Sequence, residues 1–413
     1  MALRLLQINT VIKYNATGWI AEEIGQMAIK KGWESYIAYG RYDRSSQSKL
    51  IKIGTAFDVN LHVLKNRLFD RQGFGSKHAT MELVKKIEKI KPDIIHLHNL
   101  HGYYLNIEIL FDYLAHTSIP VVWTFHDCWP FTGHCSHFDF VGCHKWKKEC
   151  FSCPQKNQYP ISLCMDHSKR NYRDKLRIFN SVKNLTIVPV SMWLSNLVGE
   201  SFFKHYPQQN IYNGVSLDVF APQNNAKVIK EKTGVGDRLM LLGVASVWDS
   251  FKGLNDFFKL SELIGENVVM VLVGLSDEQL KKMPSNIIGL SRTENVAQLV
   301  ELYSAADLFL NLTYQDTFPT TNIEALSCGT PVLTYNTGGS VEAVSSDTGF
   351  IVEKGDLSGV MAVIGLVEEK GKSVFVKVCR ARAEELFNKN ERYNEYFGLY
   401  EKLLSTKNDN STI

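Results

Sequence analysis

The chain has 413 residues, 45% of them hydrophobic and 22% charged, with a formal net charge of +3. That length is too great for one ordinary core and suits two of about 200 residues each. The balanced charge gives no ground for a nucleic-acid partner, and the apolar content excludes general disorder outside the polar tail Ser405 to Ile413.

The opening MALRLLQINTVIKYN is interrupted too soon for a secretory leader, and no run approaches the roughly 18 apolar residues of a membrane span. A cytoplasmic protein is expected, in which eight cysteines point to reduced thiols or metal rather than a disulfide framework. Leu3 to Ile8, Tyr36 to Tyr39, Asp93 to Leu97, Val121 to Phe125 and Thr186 to Val190 read as strands. Between them Gly18 to Lys31, Lys77 to Ile90, Tyr103 to Ala115 and Ser168 to Phe179 read as helices. A turn-rich boundary follows near Asn213 to Lys232. The second series has strands at Met240 to Val247, Val268 to Val273, Asp307 to Leu312 and Val332 to Tyr335. Its helices are Gly253 to Ile264, Val296 to Ala305 and Thr320 to Cys328.

This alternation predicts two α/β doubly wound domains with parallel sheets, Rossmann-like, facing each other across a cleft. The expected division is 1–212, with an irregular Cys-rich insertion at 128–164, then 213–390, then a terminal segment 391–413. Glu391 to Leu404 has helical spacing and is expected either to cross back onto the first domain or to be an ordinary terminal helix. Ligands of doubly wound folds sit at the carboxyl ends of strands, so chemistry is sought in the loops just after them.

In DTFPTTNIEALSCGTP, Asp316 to Pro331, a strand ends, a polar loop follows and Pro319 opens a helix as its first residue. The amides of Thr320, Thr321 and Asn322 are then free donors at the positive end of the dipole, a site for a diphosphate. Asp316 and Glu324, eight residues apart, can address different parts of one ligand; either acid alone reads as a solvated side chain. In GVASVWDSFKGLNDF the pair Lys252-Gly253 sets a cation at a helix start, where it would neutralise a leaving diphosphate. Gly18 follows the first strand, and His126 closes the strand PVVWTF. His96, His98 and His101 also follow a strand and read as cleft or packing residues, with metal a minor alternative.

These segments, in this order over nearly the whole chain, resemble the family-4 retaining glycosyltransferases of GT-B fold. The resemblance implies a hexosyltransferase-type enzyme moving a sugar from a nucleotide diphosphate sugar to a saccharide or lipid-linked saccharide in cell-surface polysaccharide synthesis. It places Glu324 on the ribose, Asp316 and His126 beside the transferred sugar as the catalytic pair, and Gly18, Lys252, Thr320, Thr321 and Asn322 around the donor. It requires no divalent cation for catalysis. Two positions depart from the pattern: Asp316 stands where Glu is usual, and Ser246 where Arg is usual. The alternatives are a GT-B nucleotide-sugar epimerase and a nucleotide-sugar-binding protein without catalysis. The basic stretches Lys65 to Arg71, Lys85 to Lys91 and Lys169 to Arg177 read either as peripheral contacts with the inner face of a membrane or as solvated helix faces.

Six of the eight cysteines fall between Cys128 and Cys164. Cys135, Cys143, Cys150 and Cys153 include one Cys-x-x-Cys pair, and four thiolates suit tetrahedral zinc in a loop poor in aliphatic residues. A structural zinc is expected there, with disulfides or incidental thiols as alternatives and His134, His137 and His144 as competing ligands.

Overall fold

The computed structural model describes residues 2–410. It resolves into two compact units, one running from the N-terminus to Ile211 and resuming at Tyr393, the other Tyr212–Arg392.

The first unit holds six strands: β1 Arg4–Val11, β2 Glu34–Arg41, β3 Lys49–Lys52, β4 Ile94–Leu97, β5 Val121–Phe125 and β6 Leu185–Pro189. All pair in parallel in the order β3-β2-β1-β4-β5-β6. Parallel neighbours require crossovers, and helices Asn15–Lys30, Ala56–Phe69, Lys77–Ile90, Ile107–Ala115 and Ser168–Phe179 lie in them. β4, β5 and β6 are buried along their whole length. They therefore read as unbroken apolar runs rather than alternating ones.

The second unit repeats the plan with β7 Leu239–Val244, β8 Val268–Val273, β9 Ile287–Leu290, β10 Leu308–Asn311, β11 Val332–Tyr335 and β12 Gly349–Val352. Its order is β12-β11-β10-β7-β8-β9, again all parallel. Read from the other edge, this is the order of the first sheet. Both are the arrangement of a Rossmann-like doubly wound domain, whose strand order reverses between the first and fourth strands. That switch point falls between β1 and β4 in one unit and between β7 and β10 in the other.

The terminal helix Lys389–Asn410 takes in the first six residues expected as a polar tail, and residues 411–413 lie outside those described. From Tyr393 onward it belongs to the first unit. Tyr393, Tyr396, Phe397, Leu399 and Tyr400 pack with Leu5, Ile20, Ile24, Ala28 and Trp33 in one core. Trp33 meets Phe397 edge-on at 5.6 Å. Burying each such side chain contributes about 1.5–3 kcal/mol before ordering costs, which ties the chain's end to its first strand. Among the described residues no helix is long and apolar enough to cross a membrane.

Candidate active site

In the second unit the loop after β7 is built around Asp249. Its Oδ1 accepts the N–H groups of Phe251 and Lys252, each at 2.9 Å. Trp248 is buried and anchors the loop by donating from Nε1 to the Val273 carbonyl at 2.9 Å. Gly253 follows with φ +74°, and a Cβ there would stand 2.1 Å from the Leu312 carbonyl oxygen. Only glycine permits both the left-handed turn and this approach, so the loop after β7 lies against the chain leaving β10. Tyr314 N–H then donates to the Phe251 carbonyl at 2.7 Å. The consequence is a direct contact: Lys252 Nζ donates to Asp316 Oδ2 at 2.5 Å. Two residues singled out separately in sequence form one charge-assisted pair at the topological switch point.

The helix beginning beside this pair is Thr320–Ser327, with Pro319 as its N-cap rather than its first helical residue, and no side chain caps it. Of the three amides expected to be free, Asn322 N–H is taken by the Pro319 carbonyl at 3.3 Å. Its side chain is committed too, between Asn311 Nδ2 at 2.7 Å and the Ser340 carbonyl at 3.1 Å. Asn322 is a strut, and the open first turn is left to Thr320 and Thr321. Glu324 is half-buried and accepts from the Tyr303 hydroxyl at 2.9 Å. Burial pushes its carboxyl up to about 7, against the lowering effect of Tyr303 and Thr320.

Sequence reading missed the loop after β11. Gly338, with φ +51°, lies so close to Asp316 that a Cβ would be 1.9 Å from its carbonyl oxygen, and Gly339 N–H donates to that oxygen at 3.3 Å. The buried hydroxyls of Thr317, Thr337 and Ser340 have no partner among the described residues. The run Thr337-Gly-Gly-Ser340 directly after a strand was the available signal. Asp256 was missed as well: its Oδ2 accepts from Tyr314 at 2.6 Å and Tyr335 at 2.9 Å, bracing the loop that carries Asp316.

In the first unit Gly18 lies inside helix Asn15–Lys30 rather than at the turn before it. It packs on the end of β1, where a Cβ would meet the Lys13 amide nitrogen at 3.0 Å. His126 follows β5 and pairs through Nε2 with His98 Nδ1 at 3.2 Å; burial lowers it to about 4. His98 and His96 are fully buried neighbours, their rings 4.1 Å apart. His96 is held by Tyr400 at 2.7 Å and Thr124 at 2.8 Å, as a packed polar residue. His101 binds Asp127 at 2.7 Å and Tyr159 at 2.8 Å; burial and then this imidazole act in opposite directions on Asp127, which ends near 2.

Two family models match the chain: "Glycosyltransferase Family 4" over residues 18–157 and "Glycosyl transferases group 1" over 226–377, one in each unit. The chain belongs to the family-4 glycosyltransferases of GT-B fold. Among curated relatives, the putative colanic acid biosynthesis glycosyl transferase WcaC of Escherichia coli K12 is 22% identical over 97% of this chain and 100% of its own length. Sucrose-phosphate synthase from Thermosynechococcus elongatus superposes with a TM-score of 0.72 at 16% identity, covering 98% of this chain and all of that one. Anabaena HepE in complex with UDP-glucose gives 0.67 at 14%, with coverage of 98% and 100%.

The insertion of this glycosyltransferase folds around aromatic rings, which its aliphatic-poor sequence had concealed. Trp129, Phe131, Phe138 and Trp146 are buried, and Phe131 and Phe138 lie 5.1 and 4.9 Å from Trp146. Lys175 rises beneath it to the Trp129 and Thr132 carbonyls at 2.7 and 3.1 Å. Cys135, Cys143, Cys150 and Cys153 line one small cavity of about 10 Å³ together with His134. All eight thiols are free, so the disulfide alternative is not realised. As the side chains stand, no group of three or more His, Cys, Asp or Glu among the described residues is set to hold a metal ion, so the four thiols share a cavity without a preformed ligand set.

Proposed function

We propose that this glycosyltransferase takes its sugar from a nucleoside diphosphate sugar and transfers it, with retention of anomeric configuration, to a saccharide or lipid-linked saccharide of a cell-surface polysaccharide. The observation that carries the reading is the Lys252–Asp316 pair set beside an uncapped helix start at the switch point of the second sheet. An ammonium and two unengaged amides suit a diphosphate, while the acceptor groups of Glu324 suit hydroxyl donors such as those of a ribose. The UDP-glucose complex of HepE and the colanic acid biosynthesis named for WcaC agree with a nucleotide-sugar donor and a polysaccharide product.

In the proposed reaction the bond from the anomeric carbon to the diphosphate oxygen breaks and one to the acceptor oxygen forms on the same face. The acceptor's proton goes to the departing diphosphate oxygen. Lys252 and the amides of Thr320 and Thr321 stabilise the charge gathering on the diphosphate, the largest contribution a fixed site of this kind makes. Asp316 holds Lys252 in place and steadies positive charge at the anomeric centre, and His126 hydrogen-bonds a sugar hydroxyl.

A lipid-linked acceptor calls for contact with a membrane surface. Helix Ala56–Phe69 supports one: Phe57, Leu61, Leu64 and Leu68 are exposed along one stripe, Phe57 to 73%, beside Lys65 and Arg67. A structural zinc in the insertion belongs to the same proposal, supported by the shared cavity of the four thiols. The reaction is tested by incubating the protein with a panel of nucleotide sugars, with and without polysaccharide-precursor acceptors, and measuring nucleoside diphosphate release. Release that depends on acceptor supports transfer. Donor conversion without acceptor would indicate an epimerase, and binding without turnover an inactive receptor.

A further inference from the structure

Two side chains distant in sequence, Gln7 and His98, lie in a line behind His126. Gln7 on β1 donates from Nε2 to the Ala21 carbonyl at 2.8 Å. Because that carbonyl can only accept, the Gln7 amide is fixed with its nitrogen toward Ala21 and its oxygen toward His98. His98 Nε2 stands 3.0 Å from Gln7 Oε1, and an amide oxygen also only accepts, so His98 carries its proton on Nε2. In the neutral ring His98 Nδ1 is then bare, and it faces His126 Nε2 at 3.2 Å. The proton between the two imidazoles must come from His126. Gln7 and His98 are fully buried, so water does not compete for these bonds. The Trp123 indole N–H, donating to the His98 carbonyl at 2.9 Å, fixes the backbone from which this ring projects.

We infer that Gln7 and His98 are positioning residues that lock His126 as the Nε2–H tautomer, so that His126 offers its ligand a lone pair on Nδ1 and not a proton. His126 is the half-buried end of the line, and its Nδ1 makes no hydrogen bond among the described residues. The depressed titration of both histidines of the line, caused first by burial, keeps it neutral. The specificity consequence rests on the glycosyl-transfer reading. The group opposite Nδ1 must be a donor, such as a sugar hydroxyl, because a phosphate or uronate oxygen there would meet a second lone pair. His126 accordingly selects a free hydroxyl and cannot protonate a leaving group.

The test is a two-bond ¹H–¹⁵N correlation spectrum of the unmodified ¹⁵N-labelled protein, with the His126 signals assigned by their loss in His126→Gln. A protonated Nε2 and a bare Nδ1 on His126 are expected; a His126 protonated on Nδ1 would overturn the inference. Gln7→Leu removes the acceptor that orders the line, and His126 should then show both tautomers. If Gln7→Leu folds and His126 stays wholly Nε2–H, the line does not set the tautomer and the proposal fails. Where a donor and acceptor pair supports turnover, Gln7→Leu should lower kcat about tenfold with donor KM little changed, the signature of lost orientation. The spectrum reads the tautomer whether or not transfer is detected, so failure of the tautomer lock and failure of the functional reading are told apart.

Discussion

Glu324→Gln should make the protein more stable and a poorer nucleotide binder at once. In the free protein burial raises the Glu324 carboxyl from 4.5 to about 7. A carboxyl raised on folding means that the folded state holds its proton more tightly than the unfolded chain. Stability from this group is therefore complete below about pH 4.5, falls as pH climbs, and is lost above about 7. At about 1.4 kcal/mol per unit the ionised form costs up to about 3 kcal/mol at pH 8. Gln removes that cost while its carbonyl can still accept from Tyr303, so thermal unfolding at pH 8 should shift upward and the shift should vanish near pH 5. Binding goes the other way: losing a charged acceptor for the ribose hydroxyls should cost about 1.5–3 kcal/mol, or roughly 10- to 150-fold in Kd for a nucleoside diphosphate. Calorimetric titration at pH 8 beside an unfolding scan reads both signs. Unchanged affinity removes Glu324 from the donor site, and a variant less stable at pH 8 refutes the burial argument.

Lys252→Ala should reduce turnover by about 10²–10³ if the ammonium meets the departing diphosphate; a loss below about threefold in steady-state kcat would make Lys252 an ordinary partner of Asp316. Leu64→Glu, on the exposed stripe of helix Ala56–Phe69, should abolish cosedimentation with vesicles containing anionic lipid while circular dichroism stays unchanged. Equal sedimentation of both proteins would remove that stripe as a docking face. Metal analysis of untagged protein should find near one zinc per chain, falling in a Cys150→Ser/Cys153→Ser variant; metal-free protein with eight titratable thiols when folded would end the zinc proposal.

The buried central strands were legible because parallel strands covered on both faces are apolar throughout, as Val121 to Phe125 and Val268 to Val273 show. The four-residue strands β3, β9 and β12 were not, since KLIK, IIGL and GFIV are short and carry lysine or glycine. Helix Ala56–Phe69 escaped for a different reason. It buries Val59, His62 and Asn66 and exposes Phe57, Leu61, Leu64 and Leu68, the reverse of a core-facing pattern. At the site, Lys252, Asp316 and Glu324 stood out by their spacing after strands. Their partners did not: Tyr303 and Gly338 reach the site through contacts between distant segments, which no local pattern announces. Asn322 shows the converse error, a residue placed on the ligand by position that the fold uses internally.

Retaining transfer from a nucleotide sugar is read from the anomeric proton coupling of the transferred sugar in the isolated product, once a donor and acceptor pair has been found. The product should carry the same anomeric configuration as the nucleotide sugar, and a product of inverted configuration would contradict the proposed reaction.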